Sequence, residues 1–144
     1  MVTEDVTEFL ERQGYGVLSL ADEGRAYGIP VSYGYDADEG RFVLEIVNTP
    51  DSEKQRFIDA STEVSLTVLE YGDPDTWQSA IARGTLTPLA EDEVSDRLAA
   101  LFFAQAEDVA KEIRWSDFEQ FERRWYELDV AELSGRHGGS LTYR

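Results

Sequence analysis

Cysteine is absent from the 144 residues, and histidine occurs once, at His137. Disulfides, thiolate metal sites, cysteine nucleophiles and histidine-rich zinc centres are therefore excluded. Lysine is nearly missing, with Lys54 and Lys111 its two occurrences, and proline numbers four. Clusters of Lys and Arg that hold nucleic acid or anionic membrane are lacking, so neither is expected as a partner. Apolar runs are short, none approaching the ~18 residues of a membrane-spanning helix. The N-terminus "MVTEDVTEFLERQG" is acidic and amphipathic rather than basic and then apolar, which reads as a soluble, cytoplasmic protein.

What is abundant is acid. Asp and Glu total 30 against 13 Lys and Arg, a formal net charge of −17. The dominance of arginine over lysine among the cations resembles proteins of salt-loving archaea, where molar salt screens carboxylate repulsion to within about 3 Å. The acidity does not signal disorder, because 42% hydrophobic and 12% aromatic residues supply enough apolar surface to offset ordering entropy. A chain of this length is expected to form one domain, residues 1–144, burying roughly two thirds of the surface it exposes when unfolded.

The apolar pattern changes period along the chain. Thr3 reads as a helix cap, Val6, Phe9 and Leu10 form one stripe, and Gly14 suits the stop. "GVLSLA", "RAYGIPVSYGYD" and "RFVLEIV" alternate as strands, separated by the turn-rich "DEG" and "DADEG", the signature of antiparallel hairpins. A short helix with Phe57 and Ile58 inward follows, then "TEVSLTVLEY" and "WQSAIARGTLTPL" as two more strands. In "EDEVSDRLAALFFAQA" the spacing of Val94, Leu98, Leu101 and Phe102 predicts a longer helix lying across a barrel mouth. "RRWYELDVAELSGRHGG" alternates imperfectly as a last strand ending at Ser134 or Gly135. The fold class expected is mainly β with capping helices: a six-stranded antiparallel barrel, since an open sheet would leave edges exposed.

One stretch concentrates chemistry. In "NTPDSEKQRFIDA", Ser52 can cap a helix with Glu53, Lys54 and Gln55 in its first turn. The positive end of a helix is a poor place for a lysine unless it faces an anion. Free amides, the polar side chains of Asn48, Thr49 and Ser52, and the Lys54 ammonium make a phosphate cradle. The plainer reading has Ser52 capping, Pro50 shaping the turn and Lys54 in solvent beside Asp51 or Glu53; spacing alone does not choose.

In order and spacing, "GVLSLADEGRAYGIPVSYGYD", "NTPDSEKQRFI", "TEVSLTV" and "WQSAIARGTLTPL" resemble the pyridoxamine 5'-phosphate oxidase-like FMN-binding split barrels, especially the branch with nitroimidazole-resistance proteins. The resemblance runs from about Phe9 to Leu101. It implies an FMN-binding split barrel in which Val31 and Ser32 meet the polar edge of the flavin ring with Tyr33 close by. Asn48, Thr49, Ser52 and Lys54, with Gln55 beside them, would hold the ribityl phosphate. Ser79, with Trp77 and Gln78, matches the strand from which relatives reach the flavin; Trp77 stacks on a ring or plugs the barrel. A homodimer with the cofactor near the subunit interface, and a small-molecule substrate, are implied as well.

This chain departs from the family pattern. Gly28 and Glu53 stand where the oxidases carry phosphate-binding arginines, "WYELDVAELSGRHGG" replaces their substrate motif, and Val47 occupies a position where nitroimidazole-resistance relatives often have His. Pyridoxine metabolism and drug reduction are therefore not expected. Binding of flavin, haem or the deazaflavin F420 without turnover, and an F420-dependent reductase, are the rival readings. His137 reads as an exposed tail residue, with Arg136 placed to reach a partner's phosphate. The acidic clusters lack calcium-loop spacing, so no metal site is expected, and Trp115, Phe118, Phe121 and Trp125 read as a core or dimer stripe.

Overall fold

A computed structural model describes residues 4–48, 52–72, 76–106, 122–138 and 142–143. The chain opens with helix α1 (Glu4–Gln13), whose Val6, Phe9 and Leu10 are buried, and Gly14 follows at φ 72, the left-handed stop that glycine tolerates. Strands β1 (Tyr15–Asp22), β2 (Arg25–Asp36) and β3 (Arg41–Asn48) then form an antiparallel meander. Helix α2 (Glu53–Ala60) leads into β4 (Val64–Glu70) and β5 (Gln78–Leu89). Helix α3 (Asp96–Gln105) precedes the long strand β6 (Glu122–His137) and the two-residue β7 (Thr142–Tyr143).

The strand order β3-β2-β1-β4-β5-β6, closed by pairing of β3 with β6, makes a six-stranded antiparallel barrel, with β7 added on β6. Closure removes the open edges that would otherwise template aggregation. Alternation sends Leu18, Tyr33, Phe42, Leu44, Leu66 and Leu128 into one interior cluster, all fully buried. The barrel is split between β2 and β3. Their pairing runs from Asp36↔Arg41 only as far as Ser32↔Glu45, whereas β3 continues along β6 to Asn48↔Glu122.

Two expectations for the helix after β5 need correction. The helix expected over the acidic run starts later: Glu91–Glu93 form a 3-10 turn, and α3 begins after Ser95, whose hydroxyl caps Leu98 N–H at 3.1 Å. Val94 lies before the cap, so its helical spacing was coincidental. Nor does α3 cross a barrel mouth. It packs on the outer wall, where Gly34 on β2 approaches Leu101 and Phe102, and Val43, Leu98 and Phe102 form a second small core with Trp125 packed against it. Of the aromatic stripe, Trp115, Phe118 and Phe121 lie outside the described residues.

The last strand runs past Ser134 to His137, and its imperfect alternation has a local cause. Arg83 pairs with Glu132 and Gly84 with Val130, leaving Ala131 as an extra residue, a β-bulge that returns Leu133 to the inner phase. A side chain at Gly84 would collide with the carbonyl oxygen of Asp129, so the bulge requires glycine there.

A buried carboxylate locks α3 to the barrel. Asp36, 1% exposed at the end of β2, accepts two bonds from the Arg97 guanidinium at 2.8 and 2.9 Å and one from Arg41 Nε at 3.1 Å, and Arg41 also donates to Glu127. The Arg97 bonds outweigh desolvation and hold the Asp36 carboxyl at about 2.

Candidate functional site

The sequence-derived site residues fall in three places. On β2, Val31 and Tyr33 point into the barrel and Ser32 points out, each of them buried or nearly so. The Tyr33 hydroxyl donates to the Leu10 carbonyl at 2.7 Å, its ring meets Phe42 edge-on, and burial pushes its phenol up. Its side chain is thus committed to the core. Tyr33 N–H donates to the Gly14 carbonyl at 3.0 Å. Backbone direction alternates along a strand, so Val31 turns its amide groups to β1 while Ser32 and Pro30 turn theirs towards β3. Pro30 lies beyond the last β2–β3 pair, so its carbonyl faces the split.

The second place is the split itself, filled from below by the first turn of α2. Ser52 Oγ accepts Gln55 N–H at 3.1 Å, the N-cap expected from sequence. Lys54, half-buried, donates from Nζ to the Val47 carbonyl at 2.6 Å, and burial lowers its pKa. Among the described residues no carboxylate lies within 4 Å of that ammonium. Glu53 pairs instead with Arg25 across the opening at 3.3 Å. Gln55 does not face the loop: buried, it donates to Asp59 at 2.8 Å and to the Tyr126 hydroxyl at 3.2 Å. Helical geometry turns it inward beside Phe57 and Ile58. Asn48 closes β3, and Thr49 lies outside the described residues.

The third place is the start of β5. Gln78 pairs with Glu70 and His137, and Ser79 with Leu69 and Arg136. His137 is therefore not a tail residue but the last rung of β6, half-buried, with Nδ1 2.7 Å from the Gly138 carbonyl oxygen. Trp77 accepts Gly138 N–H at 2.8 Å through its carbonyl. Here α1 and the β5–β6 ladder border an open cleft of ≈ 390 Å³ lined by Asp5, Glu8, Arg12, Thr76, Trp77, Gln78 and His137. Sequence reasoning named two of these as flavin residues and missed the cleft. One signal for it was present: Asp5, Glu8 and Arg12 stand at helical spacing on one face of α1.

Within one chain these places do not meet. The second lies at the N-terminal turn of α2, beside Val47 near the end of β3 and Arg25 at the start of β2, and the third where α1 holds the end of β4 through Arg12–Glu70 and Gln13 to the Leu69 carbonyl, both 2.9 Å. The end of β3 pairs with the start of β6 at Asn48↔Glu122, whereas the start of β5 pairs with the other end of β6 at Gln78↔His137.

The family model described as pyridoxamine 5'-phosphate oxidase matches residues 3–137, nearly the whole barrel. The chain belongs to the pyridoxamine 5'-phosphate oxidase family. No curated protein matches its sequence. Among solved structures, members of the same fold include an FAD-binding protein from Mesorhizobium loti, 18% identical, with a TM-score of 0.70 over 94% of each chain. An FAD and heme binding protein from Mycobacterium smegmatis is 15% identical, with a TM-score of 0.67 over 98% of this chain and 73% of that one. A candidate 5-nitroimidazole antibiotic resistance protein from Bacteroides thetaiotaomicron, 15% identical, has a TM-score of 0.61 over 93% and 82%. At such identities the likeness is one of fold, and it agrees with the split barrel of a pyridoxamine 5'-phosphate oxidase family member. Among the described residues no helix is long and apolar enough to cross a membrane.

Proposed function

We propose that this family member is an FMN-binding flavoprotein, an oxidoreductase acting on a small molecule, whose cofactor lies at the interface of a homodimer. The observation that carries the reading is Lys54. Its half-buried ammonium sits in the first turn of α2, where the helix dipole disfavours a cation, and among the described residues it donates to the Val47 carbonyl. A phosphate at the split would remove that conflict and return its pKa towards the ordinary lysine value. The Ser52 hydroxyl, which accepts a bond as N-cap, retains a hydrogen to donate to the same phosphate. Ser32 and the Pro30 carbonyl border the split and suit the polar edge of the flavin ring.

The placement of Lys54 and Ser79 towards opposite ends of β6 favours a shared site, with Ser79 supplied by the second subunit. An exposed apolar strip on the outer wall fits such a pairing. Val17, Leu69 and Ile81 are 40–56% exposed on adjacent strands β1, β4 and β5, with Tyr15 exposed beside them. Bound flavin supplies hydride or single-electron transfer, and the protein's part is to hold and orient it.

An absorption spectrum of the purified protein from about 300 to 600 nm, with release and identification of the chromophore, tests the reading. FMN bands near ~375 and ~450 nm in the wild type, and at least tenfold weaker FMN retention in Lys54→Ala, are expected. Protein that neither carries nor takes up FMN overturns it. A haem- or flavin-binding module without turnover is the second reading, favoured by the Mycobacterium smegmatis structure of the same fold, described as FAD and heme binding. A Soret band in place of flavin bands would select it.

A further inference from the structure

We infer that the cleft between α1 and the β5–β6 ladder binds a small organic cation, an alkylammonium or quaternary ammonium group. The inference goes beyond the flavin reading and does not depend on it. Asp5 and Glu8, both exposed, line the cleft one helical turn apart, and among the described residues no cation lies within 4 Å of either carboxylate. Arg12, the guanidinium on the same stripe, is taken by Glu70 at 2.9 Å, so it does not neutralise them. Among the described residues the lining thus carries two carboxylates against one ion-paired guanidinium and is net negative.

The aromatic lining residue supplies the second half of a cation site. Trp77, half-buried just before β5, lines the same cleft, and its backbone carbonyl accepts Gly138 N–H at 2.8 Å. An indole face attracts a desolvated cation through its quadrupole, most strongly of the aromatic side chains. Gln78, Thr76 and His137 add polar groups that a hydroxyl or amide on the ligand can meet.

Size selects the class of cation. A volume of ≈ 390 Å³ is far more than a metal ion fills, and among the described residues no trio of His, Asp or Glu is placed to chelate one. It lies at the small end of the roughly 300–1,000 Å³ typical of organic ligand sites.

The probes are choline and its uncharged carbon isostere 3,3-dimethylbutan-1-ol, titrated calorimetrically at one ionic strength into the protein as purified. Heat of binding needs no flavin, so failure here is distinguishable from failure of the cofactor reading. Saturable choline binding is expected, at least tenfold tighter than the isostere. Asp5→Asn with Glu8→Gln should weaken it at least tenfold, and Trp77→Leu comparably, while Trp77→Phe retains part of it. Glu91→Gln with Asp92→Asn removes the same charge from the distant 3-10 turn and should leave binding within twofold. Equal affinity for the two probes, absence of choline binding up to about 50 mM, or equal losses in the near and remote pairs would each overturn the inference; the last would reduce it to net charge.

Discussion

Asp36 shows how a single acid in an acidic protein is used structurally. Most of the 30 carboxylates lie on hydrated surface, whereas this one is buried and answered by two guanidinium groups. Arg97 stands in the first turn of α3, where the helix dipole disfavours a cation, and the bidentate bond to Asp36 offsets that cost. An unfolded aspartate titrates near ~3.9, and Asp36 in the fold at about 2. Because the folded value is the lower, its contribution to stability is complete above about pH 4 and lost as pH falls to about 2. We expect Asp36→Asn to lower stability by about 1–2 kcal/mol at neutral pH, allowing for the solvent-facing side of Arg97. Urea unfolding at pH 7, 4 and 2.5 checks this: the variant should lose less stability than the wild type over the acid interval, and parallel curves would refute the assignment.

At the scale of elements, β6 pairs with β3 through its first half and with β5 through most of its length, and the bulge at Ala131 falls just past the end of the β3 ladder. Gly84→Ala should force β6 away from Asp129, costing about 3 kcal/mol as a backbone clash, or roughly 10 °C of melting temperature. A melting point within 2 °C of wild type, about the resolution of such a shift, would mean that the ladder relaxes freely. The strands were legible in the sequence because alternation is local, and the bulge announced itself as a break in the alternation at Ala131. The start of α3 was not, because Val94 matches a helical spacing that only the Ser95 cap and the 3-10 turn break. Ser52 as a cap was legible for the same local reason. The inward turn of Gln55 and the burial of Tyr33 depend on what stands opposite, Tyr126 and Leu10, far away in sequence. The cleft was least legible of all, since it needs residues 5–12, 76–78 and 137 brought together by barrel closure.

At the scale of the whole molecule, charge and apolar surface pull in opposite directions. Each chain carries −17, so two copies repel through water over the ~10 Å screening length of 0.1 M salt, and much less at 1 M, where it falls to ~3 Å. Against this stands the strip of Val17, Leu69 and Ile81, aligned across three strands because Val17 faces Thr67 and Thr67 faces Ile81, with Leu69 two residues further along the same side. Fully burying an exposed apolar side chain contributes about 1.5–3 kcal/mol; these three are already about half covered, so counted on both subunits they contribute roughly 5–9 kcal/mol, within the range of about 4–15 kcal/mol for lost translational and rotational freedom. A homodimer that tightens with salt is the expected result, with sedimentation equilibrium in 0.1 and 1 M KCl as the measurement. Leu69→Glu places a further charge in the middle of the strip and should leave a monomer at both salt concentrations while barrel stability changes by less than about 1 kcal/mol, since that side chain is 56% exposed in the single chain. If the wild type is monomeric in 1 M salt, the strip does not pair subunits and Ser79 cannot complete a site at a neighbour's split. If Leu69→Glu still dimerises, another face carries the association, and a flavin shared across this one is ruled out.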